Sequence, residues 1–579
     1  MKFYRYVLGV GFVAHAISSI SLAENRCESI FQVDLTSPVN SAPGPMDLAK
    51  KYAADHPVAA MKALNDASLY IAQILKSPTG TPADLMGMPK ANASQIKDLS
   101  ELGATALEVQ ALKILADQVD KNTLDLFLNL AYDKATKLDP QDQMAVARKK
   151  VVLGAISEAI KSTTRLRGMT KDSQGRIYEE WPQYSAKMLD YVRSINEGSF
   201  EKNIEKASES KFRTAEEVRL LVNGSESFPL RETLIQNAKD SIDIMSWAIY
   251  DDLTGTQAVD LLLKKHQQGI KVRVIVDGQV ASKEGYGQQI QRLEKNGIEV
   301  IRWMNNEKIY EGQHRKMIVI DSEHVIAGGL NFGDVYSHKN PQSQHWRDTD
   351  IYLRGGSASK EAQNLFAQVW NSQINKQNLS VQPMGIVNVN DVAGKKVMII
   401  DSRPGEHVAG SPVMKTMLMA IRSAQHSIDI ENAYVVTAAA LRTELKSAMD
   451  RGVKVRIFTN SDKSVDEPVV SIPILKSAKE LAQMGAEVYL KKGDTLHSKI
   501  MNIDDQFSMV MSYNLHPRSE RIEQEMAIAV MDSDFSGSMS RTIGQDLANL
   551  ADKVNSADDI KINSDPQSLI GLRIFFDQL

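Results

Sequence analysis

One α/β pattern occurs twice in this chain, in the same order, and this limits the fold more than any other feature. Ala238-Lys239-Asp240-Ser241-Ile242-Asp243-Ile244 recurs as Ala424-Gln425-His426-Ser427-Ile428-Asp429-Ile430. Gly269-Ile270-Lys271-Val272-Arg273-Val274 recurs as Gly452-Val453-Lys454-Val455-Arg456-Ile457, and Gly297-Ile298-Glu299-Val300 as Gly485-Ala486-Glu487-Val488. Each copy reads helix, strand, helix, strand, helix, strand, because short β-branched runs alternate with helical stretches. Copies this long are duplicated domains, since a solenoid needs shorter periods and more of them. The expected bounds are 213–378 and 394–555, joined by a linker at 379–393 that contains Pro383 and Gly385.

The 579 residues exceed what two such domains need. Lys2 and Arg5 precede an apolar run from Tyr6 to Ala14, and Ser21-Leu22-Ala23 fits a small-x-small cleavage site. Residues 1–23 therefore read as a signal peptide, and the expected location is periplasmic or secreted, peripherally associated with a membrane. Residues 24–45 are rich in Ser, Pro and Asn and read as a linker. From 46 to 212 the pattern is helical. Asp139-Pro140 is a helix start, and Val152, Ala155, Ile156, Ala159 and Ile160 share one face. The expected fold class is α/β: two duplicated α/β domains with one shared active site, preceded by an all-α domain of unknown role. Residues 556–579 form a tail whose apolar run, Leu569 to Phe576, suits docking on the protein's own surface or on lipid. The single cysteine, Cys27, can form no intramolecular disulfide.

Each copy also carries the same chemical string. Copy one has His314, Lys316, Asp321, Gly329 and Asn331; copy two has His497, Lys499, Asp504, Ser512 and Asn514. Relative to the His, both sets fall at +2, +7, +15 and +17. Residues two apart on a strand share a face, so His and Lys point together. Asp at +7 has the opposite parity and reads as structural. The Asn sits past a turn, from where its amide could reach the His and Lys. One His, one Lys and one Asn make half of a phosphodiester site, which needs a nucleophile, an acid and donors for the non-bridging oxygens. Two half-sites facing each other supply all of these. One His attacks while neutral; the other protonates the leaving alcohol and then deprotonates the acceptor. Lys316, Lys499, Asn331 and Asn514, with Gly329 and Ser512 beside them, hold the substrate. A nucleophilic imidazole needs a carboxylate on its other nitrogen. Asp348, 34 residues past His314, and Glu525, 28 past His497, lie in the following strands and are the candidates, with Asp350 and Glu523 as alternates. No cofactor is implied, and no carboxylate or Cys/His run stands at metal-ligand spacing.

These residues resemble the phospholipase D superfamily, whose signature is a repeated His-x-Lys-x4-Asp motif, and among its members the bacterial cardiolipin synthases. His314-Arg315-Lys316-Met317-Ile318-Val319-Ile320-Asp321 and Gly328-Gly329-Leu330-Asn331-Phe332-Gly333 are similar to that group's first motif. Trp346-Arg347-Asp348-Thr349-Asp350 resembles the strand after it, and Leu496-His497-Ser498-Lys499 with Ser512-Tyr513-Asn514-Leu515 resembles the second motif. The resemblance spans about 215–555. It implies a phosphohistidine intermediate, with His314 as nucleophile and His497 as acid/base, and it supports Asp348 and Glu525 as the orienting carboxylates. His516 stands where the group usually has Asp, and Glu523 where it usually has Asn. The partners implied are a phospholipid substrate and a membrane surface, with any protein partner of the helical region unknown.

A nuclease of the same superfamily would share this chemistry. Against it stand a net charge of −4, from 68 Lys+Arg and 72 Asp+Glu, and the lack of a basic run with interleaved aromatics. A rival of another class is a catalytically dead adaptor, which two complete half-sites argue against. His324 reads as solvated, and His338 and His345 as surface residues of a loop. Trp247 and Tyr434 follow matching strands and read equally well as pocket lining or core.

Overall fold

The computed structural model describes residues 176–562, apart from 196–197, 306–310, 405, 408 and 468–469, with side chains from Ser185 onward. Residues 1–23 read as a signal peptide, the linker read at 24–45, most of the helical region and the run Leu569 to Phe576 lie outside the described residues. Among the described residues no helix is long and apolar enough to cross a membrane.

Two helices, α1 (Arg176–Ser194) and α2 (Phe200–Ser208), lead into a short strand, β1 (Arg213–Ala215). The first repeat then runs β2 (Glu217–Val222), α3 (Asn223–Asn237), β3 (Ser241–Ser246), α4 (Leu253–Gln267), β4 (Lys271–Asp277), α5 (Gln288–Lys295) and β5 (Glu299–Trp303). It continues through β6 (Gly312–Gln313), β7 (Met317–Ile320), β8 (His324–Gly328), α6 (Asp334–Ser337), β9 (Thr349–Arg354) and α7 (Gly356–Gln377). The second repeat has β10 (Lys395–Ser402), α8 (Pro412–Ser423), β11 (Ser427–Asn432), α9 (Ala439–Asp450), β12 (Lys454–Thr459), α10 (Ser471–Met484) and β13 (Glu487–Lys491). It closes with β14 (Lys499–Ile503), β15 (Phe507–Met511), α11 (Pro517–Arg521), β16 (Glu523–Met531), α12 (Ser533–Asn549) and β17 (Ala551–Lys553). Local signals start several helices. Asp252 accepts from Gly255 N at 2.9 Å, Asp532 from Phe535 N at 2.9 Å, and Ser411 from Val413 N at 3.1 Å ahead of Pro412.

The two sheets share one strand order. The first is β2-β9-β8-β7-β3-β4-β5; the second is β10-β16-β15-β14-β11-β12-β13, extended by β1 at one edge and β17 at the other. In each, the last three strands pair in parallel and the rest antiparallel. The α/β expectation therefore resolves into mixed sheets.

Both faces of each sheet are covered, which is why the strands read as apolar runs rather than alternation. Met317 and Val319 of β7 point to a central core, while Ile318 and Ile320 pack under the first repeat's own helices. In the second repeat Ile500, Val510 and Ile528 face the central core, and Met501, Ile503 and Met509 face the outer one. Residues of both repeats build that central core, with Phe366 and Trp370 of α7 and Phe535 and Met539 of α12 inside it. The closing helices are exchanged: α7 also packs on β10 of the second repeat, and α12 on β2 of the first.

Helices α1 and α2 fall within the span read as all-α, yet Met188, Val192, Ile204 and Ala207 enter the outer core of the second repeat. An amphipathic helix shows the same periodicity whatever it packs against, so sequence alone does not place it. Ile560, in the tail, joins the same core. Within the linker, Met384 and Val387 are held by Asn371 and Asn364 of α7, and Gln382 O accepts from Trp370 Nε1 at 2.9 Å.

Asp321 and Asp504 sit in the tight turns after β7 and β14, each followed by a second residue of positive φ (55° and 54° at Asp321-Ser322, 53° and 54° at Asp504-Asp505). Asp tolerates that geometry. Asp321 accepts from the backbone N–H of Lys239, Asp240 and Ser241 at 2.8–2.9 Å, and Asp504 from Gln425, His426 and Ser427 at 2.7 Å. Each thus fastens the chain entering the first parallel strand of its repeat. Burial alone would raise the Asp321 carboxyl, but its three N–H donors hold it below the usual range. Its contribution to stability is present above the unfolded-state value and lost as pH falls through the lower folded one. Asp321→Ala and Asp504→Ala are each expected to lower the unfolding free energy by about 1–3 kcal/mol in urea titrations. The His half-sites keep their activity at temperatures where the variants remain folded.

Candidate active site

The two motif histidines lie just ahead of β7 and β14, on segments stitched into the other repeat. Strand β6 pairs in parallel with β16, and His314 N donates to Gln524 O at 2.9 Å. On the opposite side Leu496 bridges to Arg347, and His497 N donates to Arg347 O at 2.7 Å. Each His backbone therefore hangs from the residue that precedes the other repeat's carboxylate. The side chains follow. His314 Nδ1 lies 3.0 and 3.1 Å from the two oxygens of Glu525, and His497 Nδ1 lies 2.7 Å from Asp348 Oδ2. Both candidate carboxylates are on the histidines, but crossed: the one downstream of His314 serves His497, and the reverse. A carboxylate only accepts, so each Nδ1 carries a hydrogen and each Nε2 is left for substrate.

The crossing brings both lysines to one place. Lys316 Nζ donates to His314 O at 2.6 Å, and Lys499 Nζ lies 3.0 Å from His497 Nδ1. Burial, with Lys499 beside it, pulls the Lys316 ammonium down to about 7 against the pull of Glu525, Glu523 and Asp348. Burial also lowers Lys499 and pushes Asp348 up to about 6. His497 is driven well below the ordinary imidazole value by burial first, then by Lys499, Lys316 and His314. A bound phosphate would neutralise the paired ammoniums.

The repeats differ where their carboxylates differ in length. At Gly329 a Cβ would fall 2.0 Å from Asp348 Oδ1, so only glycine leaves room for the shorter acid. At the equivalent position Ser512 donates its hydroxyl to Glu525. Neither asparagine is hydrogen-bonded to a motif His or Lys. Asn331 donates to Tyr336 Oη at 3.1 Å and accepts from Ser246 Oγ at 3.2 Å. Asn514 takes its backbone N–H to Ser519 Oγ at 3.2 Å, and its Oδ1 is buried with no hydrogen-bond partner.

Of the alternates, Asp350 is committed elsewhere, to Arg231 and Ser227, each at 2.6 Å. Glu523 is 3.8 Å from His314 Nδ1 and is also held by Arg518 at 2.6 Å. His516 caps α11, its Nδ1 accepting from Ser519 N at 3.1 Å, and burial lowers it to about 4, so it acts as a neutral acceptor. Trp247 does reach the site, edge-on to His314 at 6.2 Å, while Tyr434 stacks on His516 at 5.7 Å. His338 and His345 stack on each other at 4.7 Å, and His324 bonds Tyr352 Oη at 2.9 Å.

Sequence reading missed Tyr336 and Ser519. Tyr336 packs on His497 at 5.2 Å, and Ser519 Oγ donates to Glu525 at 2.6 Å. Both stand five residues past the motif Asn, an offset readable from the repeat. It also missed that His314, Glu523 and Glu525 bring donor atoms within 4.8 Å of one another, since the chain hides that cluster across some two hundred residues. Arg518 occupies Glu523, and Ser512 and Ser519 occupy Glu525, so this set fits a hydrogen-bonded imidazole better than a cation. Gly329→Ser, which copies the second repeat's residue, is expected to displace Asp348 and cut turnover by at least ~100-fold, with the midpoint of unfolding shifted far less. Steady-state kinetics beside a thermal melt checks both.

The family described as "Cardiolipin synthase, PLD-like domain" matches residues 232–370 and 417–547, one stretch in each repeat. Cardiolipin synthase A of Pseudomonas syringae pv. syringae is 28% identical over 58% of this chain and 70% of its own length. Cardiolipin synthase 2 of Bacillus cereus is 29% identical over 55% of this chain, and the match spans 62% of that relative. The crystal structure of phosphatidylserine synthase from Haemophilus influenzae superposes with a TM-score of 0.53 at 15% identity, over 66% of this chain and 99% of that one. This last likeness is one of fold. Duplicated sheets, paired half-sites crossed between them and a match on both repeats make this chain similar to the phospholipase D superfamily, and within it to the cardiolipin synthases.

Proposed function

We propose that this protein is an exported phosphatidyltransferase of phospholipase D type, acting on glycerophospholipids at a membrane surface. One observation carries the reading: the crossed His–carboxylate pairs join two His/Lys sets into one site. The cardiolipin synthases it resembles supply the substrate class. The leader-like pattern of residues 1–23 supports export.

One imidazole attacks phosphorus through its Nε2 lone pair, and the head-group alcohol leaves with a proton from the other imidazole. The phosphatidyl group now sits on nitrogen. An acceptor hydroxyl returns its proton to the second imidazole and displaces the phosphohistidine. Lys316 and Lys499 balance the non-bridging oxygens in a site from which water is largely excluded, where such charges act strongly. Water as acceptor gives phosphatidic acid; a second phosphatidylglycerol gives cardiolipin and frees glycerol. The likeness to cardiolipin synthases supports the second outcome.

The mature protein incubated with phosphatidylglycerol vesicles is expected to yield cardiolipin and glycerol, read by thin-layer chromatography. Phosphatidic acid alone would make it a hydrolase, and cleavage of DNA with lipids untouched would overturn the lipid reading. His314→Ala and His497→Ala should each abolish product with the fold intact. Rate against pH is expected to be bell-shaped. The acid limb lies near 6, where Asp348 must be ionised to orient His497, and the basic limb begins above about 7, where free Lys316 loses its charge. The limbs belong to the coupled cluster rather than to either group alone. A flat profile from pH 5 to 9 would contradict these roles of Asp348 and Lys316.

A further inference from the structure

The repeats build two half-sites on one plan, so each position around one histidine has a counterpart around the other. Two residues before the orienting carboxylate stand Glu523 on the His314 side and Trp346 on the His497 side. Five residues past the motif Asn stand Ser519 and Tyr336. His314 thus has a second carboxylate, Glu523, at 3.8 Å from the nitrogen already shared with Glu525, while Ser519 donates to Glu525. His497 instead packs against a pair of aromatic rings, Tyr336 at 5.2 Å and Trp346 at 5.4 Å, which are themselves 5.1 Å apart, where His314 has Trp247 at 6.2 Å; Asp348 is the carboxylate bonded to His497. Both lysines donate to the carbonyl of their own histidine, and Lys499 Nζ in addition lies 3.0 Å from His497 Nδ1.

Two carboxylates favour an imidazolium. Adjacent aromatic rings and a neighbouring ammonium favour the neutral ring. We propose that His497 is the nucleophile and His314 the general acid of the first half-reaction, the reverse of the order that the family resemblance implies. The assignment rests on the two-imidazole reading above. His497 Nε2 bonds to phosphorus as the P–O bond to the leaving alcohol breaks, and the proton on His314 Nε2 goes to that oxygen. In the second half the acceptor hydroxyl gives its proton to His314, its oxygen bonds to phosphorus, and the P–N bond to His497 breaks. Both rings then return to their starting states. The charges facing each ring agree with this. Burial, Lys499, Lys316 and His314 disfavour a charged His497 while Asp466 opposes them. Burial would raise Glu523, but His314 and Arg518 hold it well below the usual carboxylate range, so it stays ionised beside His314.

The test uses bis(p-nitrophenyl) phosphate, whose leaving phenolate needs no proton. In wild type, an alkaline quench followed by trypsin and mass spectrometry locates the nitrophenyl-phosphoryl adduct. It is expected on the peptide Gly493–Lys499, which contains His497, and not on Ile309–Arg315, which contains His314. His314→Asn should retain the nitrophenolate burst within about 10-fold, yet lose at least ~1,000-fold on phosphatidylglycerol, whose alcohol must be protonated. His497→Asn should lose the burst by at least ~1,000-fold. An adduct on His314, or a burst that survives His497→Asn and vanishes in His314→Asn, overturns the assignment. The wild-type adduct does not depend on either variant folding. Because the probe is not a lipid, failure of the phospholipid reading appears in the vesicle assay, separately from failure of this assignment.

Discussion

The structure depends on two hydrogen-bonded pairs that cross between the repeats, His314 with Glu525 and His497 with Asp348. Each repeat alone holds a histidine without its carboxylate and a carboxylate without its histidine. Both members are buried, and a buried carboxylate or imidazolium left unpaired is costly. The pairs therefore align the repeats as well as prepare the chemistry. Exchange of the closing helices α7 and α12 and the shared apolar core between the sheets serve the same end by non-directional burial. The core brings the repeats together; the polar pairs choose the register.

Two arginines extend this registry beneath the histidines. Arg347, whose carbonyl receives His497 N–H, sends its guanidinium to Asp546 of α12 at 2.7 Å and lies 3.4 Å from Glu431 of β11. Arg315, between His314 and Lys316, reaches Asp401 of β10 at 2.5 Å and Gln524 at 3.2 Å. Both belong to the first repeat, and all four partners to the second. Guanidinium suits this place because it stays charged when buried and offers several donors in a fixed plane. Losing one partner of such a buried pair typically costs about 3–5 kcal/mol, since the remaining charge stays behind. Burial raises Glu431 to about 8, which marks how dry this layer is.

Much of the site was legible because duplication repeats the signal. The His, Lys, Asp and Asn offsets agree in both copies, and the helix–strand order predicted from β-branched runs is the order of α3-β3-α4-β4-α5-β5 and of its counterpart from α8 to β13. The structural reading of Asp321 and Asp504 also came from spacing, although the reason is a tight turn rather than strand parity. Other features were not legible. Nothing in the local sequence says that the carboxylates cross, because a strand's periodicity fixes its faces and not which neighbour it meets. Nor does it say that Asn331 turns to Tyr336 and Ser246, or that α1 and α2 pack on the second repeat.

The amino-acid sequence by itself determined the local matters: two copies of one α/β unit, the chemical groups each contributes, and a structural place for Asp321 and Asp504. These follow from propensity, spacing and side-chain chemistry, which act over a few residues. Only the tertiary structure decided which carboxylate serves which imidazole, and that one ring lies beside two carboxylates while the other packs against a pair of aromatics. Those contacts join residues more than a hundred positions apart, and desolvation and Coulomb interaction depend on distance in space rather than along the chain.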